Sequence, residues 1–141
     1  MKIFISHAPE DKELASQLAE QLQRAKFDVW VAARNILPGD NWAKEMGLAL
    51  EASDVMVALI SKRAMPSEPL LRDVQYALTS RNFEGRLIPV LVGYVAAEAG
   101  KDVPWILLDL GPIWLESGSE GFDKVVKRIG EVARQETNAP C

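Results

Sequence analysis

The stretch LISKRAMPSEPLLRDVQYAL, Leu59 to Leu78, decides how this chain folds. It reads as the end of a buried strand, a polar loop, and then an amphipathic helix. The strand is the tail of VMVALI (Val55 to Ile60), an unbroken apolar run of the kind expected where both faces of a sheet are covered. In the helix, Leu70, Val74 and Ala77 recur at helical spacing, Leu71 and Leu78 widen the stripe, and Ser67 suits the N-cap. Asp73 breaks the pattern. It lies three residues after Leu70 and four before Ala77, a carboxylate on the edge of a face that ought to be buried.

Working outward, the same alternation repeats. IFIS (Ile3 to Ser6) is a short apolar strand. Pro9, Glu10, Asp11 and Glu13 follow it and suit a first helical turn, where Pro is tolerated and acids oppose the dipole. Leu14, Ala15, Leu18, Ala19 and Leu22 then form one helical stripe. FDVWV (Phe27 to Val31) is a second strand, and AARNILPGD is a loop with a Pro-Gly turn signal. Asp40 or Asn41 can cap a helix through Trp42, Met46, Ala49 and Leu50. RLIPVLVG (Arg86 to Gly93) is a fourth strand, in which Pro89 predicts an edge position or a bulge. Tyr94 to Gly111 reads as irregular, with a short helical turn near AAEAG. PIWL (Pro112 to Leu115) is a fifth strand, and Phe122, Val125, Val126, Ile129 and Ala133 mark a final helix.

Apolar strands alternating with helices at short intervals predict an α/β fold with a parallel sheet covered on both faces. Five strands at this length suit a flavodoxin-like order of 2-1-3-4-5. In such sheets ligands bind beyond the carboxyl ends of the strands, at the switch point between strands 1 and 3. That rule sets Ser6 and His7 on one lip of a crevice and Ser61 on the other. The helix bearing Asp73 rises from the second lip.

Composition narrows the chemistry. The 141 residues suffice for one domain with a real core, residues 1–141. A net charge of −4 gives no electrostatic reason to expect nucleic acid or an anionic membrane as partner. No run approaches the length of a transmembrane helix. The single cysteine, Cys141, excludes an internal disulfide and a thiolate metal site, and a reducing, cytoplasmic setting is the expectation. His7 is the only histidine, so any Ser-His-Asp or Cys-His arrangement must use it, and no G-x-S-x-G elbow is present. SHAPEDK lacks the glycines of a dinucleotide fingerprint, and no phosphate-binding P-loop occurs. A phosphoacceptor receiver domain of the same strand order needs an Asp at the end of strand 3, where this chain has Ser61.

Taken in order, KIFISHAPEDKELASQLAEQL, VWVAARNILPGDNWAKEMGLALEASDVMVALIS, LLRDVQYAL and RLIPVLVG resemble a bacterial Toll/interleukin-1 receptor (TIR) domain over about the whole chain. FISHAPEDK is similar to the family's first-strand box, ILPGDNW to the BB loop after strand 2, and SDVMVALIS to the third strand. The resemblance implies one of two functions. Many TIR domains cleave NAD+ at the nicotinamide–ribose bond, often in bacterial defence or signalling, with NAD+ as substrate and no resident cofactor or metal. Others are non-catalytic adaptors acting through TIR–TIR contacts. The family's catalytic glutamate sits on the helix after strand 3, four residues past a tryptophan. This chain carries Asp73 and Pro69 at those places. The resemblance therefore implies Asp73 as the catalytic carboxylate, with His7, Ala8, Arg34, Ser61 and Pro69 around NAD+, and self-association through Ile36, Leu37 and Pro38.

Each of these residues also has a plain structural reading. Asp73 can be a solvated carboxylate at the stripe's edge. His7 can simply help start the first helix, and Arg34 can be solvated. Ile36 and Leu37 can fold back on the domain. Glu45 and Glu51 read as exposed, with Glu45 a spare carboxylate. Trp30 and Trp42 read as packing residues, and Trp105 and Trp114 are expected to close the core near strand 5.

Overall fold

The structure is a computed structural model. It describes residues 2–31, 37–62, 68–79, 86–94, 103, 105–115 and 121–138, apart from the side chains of residues 42–43, 68–70 and 133–138. Strand β1 (Lys2–His7) leads through a 3-10 turn (Pro9–Asp11) into α1 (Lys12–Arg24). Then come β2 (Asp28–Val31), α2 (Trp42–Ala52), β3 (Val55–Ser61) and α3 (Glu68–Thr79). The chain continues through β4 (Leu87–Val92), α4 (Trp105–Asp109), β5 (Ile113–Leu115) and α5 (Phe122–Asn138). The five strands form one parallel sheet in the order β2-β1-β3-β4-β5, with Ile5 opposite both Val31 and Val57. The flavodoxin-like expectation is met.

Two apolar layers follow from the period-2 alternation of strands. Ile3 and Ile5, Val55, Val57 and Leu59, and Ile88 and Val90 face one side. There they pack with Leu18 and Leu22 of α1 and Phe122, Val125 and Ile129 of α5. Phe4, Met56, Ala58, Ile60 and Leu91 face the other side, against Leu50 of α2, Val74 and Ala77 of α3 and Leu107 of α4. Phe4 and Trp30 stack there with ring centroids 5.0 Å apart, which makes Trp30 the packing residue its sequence context predicts.

Local chemistry sets the joints. At the end of α1, Lys26 N–H donates to the Gln23 carbonyl (2.9 Å) and Phe27 N–H to the Leu22 carbonyl (3.1 Å). This is a Schellman closure, with Lys26 in the left-handed position at φ 71°. Leu37-Pro38-Gly39-Asp40 closes as a turn with Gly39 at φ 93°, the positive φ that a type II turn requires. Asp40 accepts from the Leu37 amide (2.8 Å), so the N-cap of α2 falls to Asn41, whose side chain accepts from the Lys44 amide.

Four expectations need correction. The stretch Tyr94 to Gly111 is not irregular throughout, because α4 occupies Trp105–Asp109. Pro89 lies in an interior strand without a bulge. The Arg86 carbonyl accepts from Met56 of β3 and the Val92 carbonyl from Lys62 just past it, so even positions of β4 turn to β3 and Pro89 turns to the β5 side. There β5 begins to pair only at Val90, and the missing donor costs no bond. Trp105 does not close the core. It is 74% exposed, because Leu107 takes the buried slot of α4 and residues two apart on a helix do not share a face. Leu78 is exposed as well, and among the described residues of the α3 stripe Val74 and Ala77 are buried. Trp114 is half-buried against the second layer, as expected. The helical turn near AAEAG and the Ser67 cap lie outside the described residues.

Candidate functional site

The carboxyl end of β1 and the flank of α3 meet at the switch point. Ser6 shares a strand face with Phe4, and that is the face α3 covers. Val74 and Ala77 anchor α3 to the layer, and Asp73, one residue before Val74, stands at the margin of the contact, half-buried. The Ser6 hydroxyl, only 1% exposed, donates to Asp73 Oδ2 at 2.8 Å across 67 residues of sequence. Asp73 is therefore not a freely solvated surface carboxylate. Burial pushes its pKa above the ordinary value; the Ser6 hydrogen bond, the Arg72 charge and the His7 charge pull the other way.

His7, half-buried, ends β1. Its Nδ1 lies 2.7 Å from the Ala8 carbonyl. A carbonyl only accepts, so Nδ1 carries a proton and donates it. The ring is thus oriented by the backbone rather than by another side chain. Ala8 is fully buried, and its carbonyl also takes the Asp11 amide (2.9 Å), so Ala8 shapes the turn through its backbone.

The second lip divides by face. Ser61 follows Val55, Val57 and Leu59 at even spacing, which turns its side chain to the α1 layer, away from Asp73. There its buried hydroxyl donates to Oδ1 of the fully buried Asp11 at 2.9 Å. Ser6 and Ser61 thus tie down different elements on opposite faces of the sheet. The structure brings together Ser6, His7 and Asp73 and does not bring Ser61's side chain to them. The sequence sets Ser6 on the crevice lip without a partner and reads Asp11 only as a first-turn acid; the strand parity of Ser6 and Ser61 carries the signal for the partner each one takes.

Arg34 and Ile36 lie outside the described residues, and so does the side chain of Pro69, whose backbone belongs to α3. Leu37 is 64% exposed on the loop after β2. Glu45, expected to be exposed, is instead half-buried in the first turn of α2, where its charge suits the helix N-terminus. Among the described residues no cluster of three or more His, Cys, Asp or Glu is arranged to hold a metal ion, and no helix is long and apolar enough to cross a membrane. Among the described residues the site offers a partly desolvated carboxylate, oriented by a buried hydroxyl, beside an imidazole. Such a group can stabilise positive charge developing on a ligand, more strongly than in water because of its partial burial.

Comparison with known proteins agrees with the fold. A family model described as "TIR domain" matches residues 3–126. The NAD(+) hydrolase TcpA of Theionarchaea archaeon (strain DG-70-1) is 28% identical over 138 residues, which is 96% of this chain. The chain spans 40% of that relative's length. The TIR domain of the Toll-related receptor TRR-2 from Hydra magnipapillata superposes with a TM-score of 0.65 at 24% identity, covering 96% of this chain and 98% of that one. A metazoan TIR-STING receptor from C. gigas superposes with a TM-score of 0.69 at 22% identity, over 90% of this chain and 39% of that one. The family match spans the described sheet from Ile3 onward and the helices as far as the start of α5, and the chain belongs to the TIR domain family.

Proposed function

We propose that this chain cleaves NAD+ at the nicotinamide–ribose bond, with Asp73 as the carboxylate that stabilises the reacting ribose. The observation that carries the reading is the Ser6–Asp73 hydrogen bond at the switch point of the sheet. The name of the TcpA relative supports the substrate. Nicotinamide leaves with the pair of electrons of the C–N bond, which neutralises its ring nitrogen. The ribose carbon becomes cationic, as in glycoside hydrolysis, and a water adds to it and loses a proton. A carboxylate beside the ribose lowers the energy of that cation and binds the hydroxyls that orient it. The His7 ring, held by the Ala8 carbonyl, borders the same space. In its cell this activity would deplete NAD+ as a defence or signalling step.

Asp73 is one methylene shorter than glutamate, about 1.5 Å of reach, and a misplacement of ~1 Å costs about 10²-fold in rate. The test follows from that geometry. Nicotinamide release is measured for the parent, Asp73→Glu and Asp73→Ala, with folding checked for each. Asp73→Glu is expected to exceed the parent. Asp73→Ala is expected to lose about 10²-fold or more, as when a charge-stabilising group is removed. Unchanged release by Asp73→Ala removes Asp73 from the reaction and moves attention to Glu45.

A second reading, a non-catalytic module acting through contacts between TIR domains, is favoured by the exposed Leu37. Silence of all three proteins, with no NAD+ bound, would select it.

A further inference from the structure

Two strand positions away from the crevice, a groove of about 510 Å³ runs between β5 and α5. Ile113, Trp114, Lys124, Lys127, Arg128 and Glu131 line it. The last four stand at i, i+3, i+4 and i+7, so one face of α5 turns three cations and one carboxylate to the groove. The chain as a whole carries −4. The local balance therefore runs against the net charge of the molecule.

A basic helix face alone is ordinary solvated surface. Here the opposite wall and the joints add structure. Gly93 N–H donates to the Leu115 carbonyl at 2.8 Å. Peptide groups alternate sides along a strand, so Ile113 and Leu115 turn theirs to β4 while Trp114 turns its N–H and C=O outward. β5 is the last strand of the sheet, and that outward edge borders the groove. Arg128 is half-buried, and its Nη1 donates to the Gly111 carbonyl at 3.2 Å, which holds the guanidinium at the groove and leaves its other N–H groups for a ligand. Gly121, at φ 91°, lets α5 start hard against β5. A Cβ there would come within 2.7 Å of the Leu115 side chain. Both walls are thus fixed relative to each other.

We propose that this groove binds a phosphate-bearing anion of diphosphate size, using the Trp114 amide and the Lys124, Lys127 and Arg128 side chains as donors. Several cations converging on one space fit a multiply charged, many-acceptor group better than a single carboxylate, and a guanidinium fork matches phosphate oxygens. The volume lies in the range of small-molecule pockets. Glu131, one turn beyond Lys127, repels a longer anionic chain and limits the ligand's length.

The chain is titrated with inorganic pyrophosphate, and separately with ADP, at constant ionic strength, while backbone amide shifts are followed by NMR. Saturable shifts are expected at Trp114 and along Lys124 to Arg128. Joint replacement Lys124→Gln and Lys127→Gln is expected to weaken binding about tenfold or more, the size of one or more charge-assisted hydrogen bonds. Asp73→Ala is expected to bind pyrophosphate like the parent, which separates this groove from the crevice. Equal affinity for both anions assigns recognition to phosphate alone, and tighter ADP adds a contribution from the nucleoside. The proposal is overturned by absence of saturable binding, by shifts confined to Ser6, His7 and Asp73, or by an unchanged affinity in the double variant. A double variant that loses only self-association also overturns it and marks the groove as a contact between copies of the chain.

Discussion

The Ser6 hydroxyl and the Asp73 carboxylate are held in one geometry by different elements, and that bond makes the protonation of Asp73 a property of the fold. Burial raises its pKa above the unfolded value. The native state therefore holds this proton more tightly than the unfolded chain does. The group's contribution to stability is fully present below the ordinary carboxylate pKa and is lost as pH rises through the raised one. Catalysis has the opposite need, because only the ionised carboxylate stabilises a ribosyl cation. Ser6→Ala removes a hydrogen bond that favours the ionised form. It is expected to raise the Asp73 pKa further and to move the acid limb of nicotinamide release to higher pH. A carboxyl-carbon NMR titration of Asp73 reads the same change without turnover. A pKa that stays put or falls in Ser6→Ala would show that the hydroxyl does not tune this carboxylate.

Elements of this fold were legible wherever a whole segment carried one message. VMVALI is apolar at every position because β3 is covered on both faces, and all seven residues of β3 are buried. The α3 stripe was legible in Val74 and Ala77, which are buried as predicted. Legibility failed where a single position decides. Which face Ser61 takes depends on where the strand's alternation is counted from, and its buried partner Asp11 lies 50 residues away. Helix α4 has five residues, too few for a period to show, so Trp105 gave no sign that it would stay outside. The end of α1 was hidden for a similar reason. Lys26 sits at φ 71°, where glycine is the usual residue, so the sequence shows no stop signal. Lys26→Gly removes the Cβ clash of the left-handed conformation and is expected to stabilise the domain by about 1 kcal/mol. Urea unfolding at matched m-values checks it; a lower midpoint would mean that the lysine side chain supports the turn by some other contact.

For the whole molecule, the exposed Leu37 and the order of the strands have the widest reach. Leu37 presents a large apolar side chain to solvent on a turn fixed by Asp40 and Gly39. If copies of the chain associate through it, burying that side chain is worth roughly 2 kcal/mol. Leu37→Asp is then expected to weaken self-association by about tenfold or more while leaving the unfolding midpoint nearly unchanged. Sedimentation of both proteins at high concentration measures the difference, and identical profiles with an associating parent would exclude the loop. The strand order carries a different consequence, for the birth of the molecule. β1 lies between β2 and β3, and its pairing with β3 waits for residues far along the chain. The Ser6–Asp73 contact waits for a residue 67 positions after Ser6. At roughly 5–20 residues per second on the ribosome, the nascent IFIS segment stays half-paired for several seconds. During that interval its apolar edge is open to chaperones and to neighbouring nascent chains.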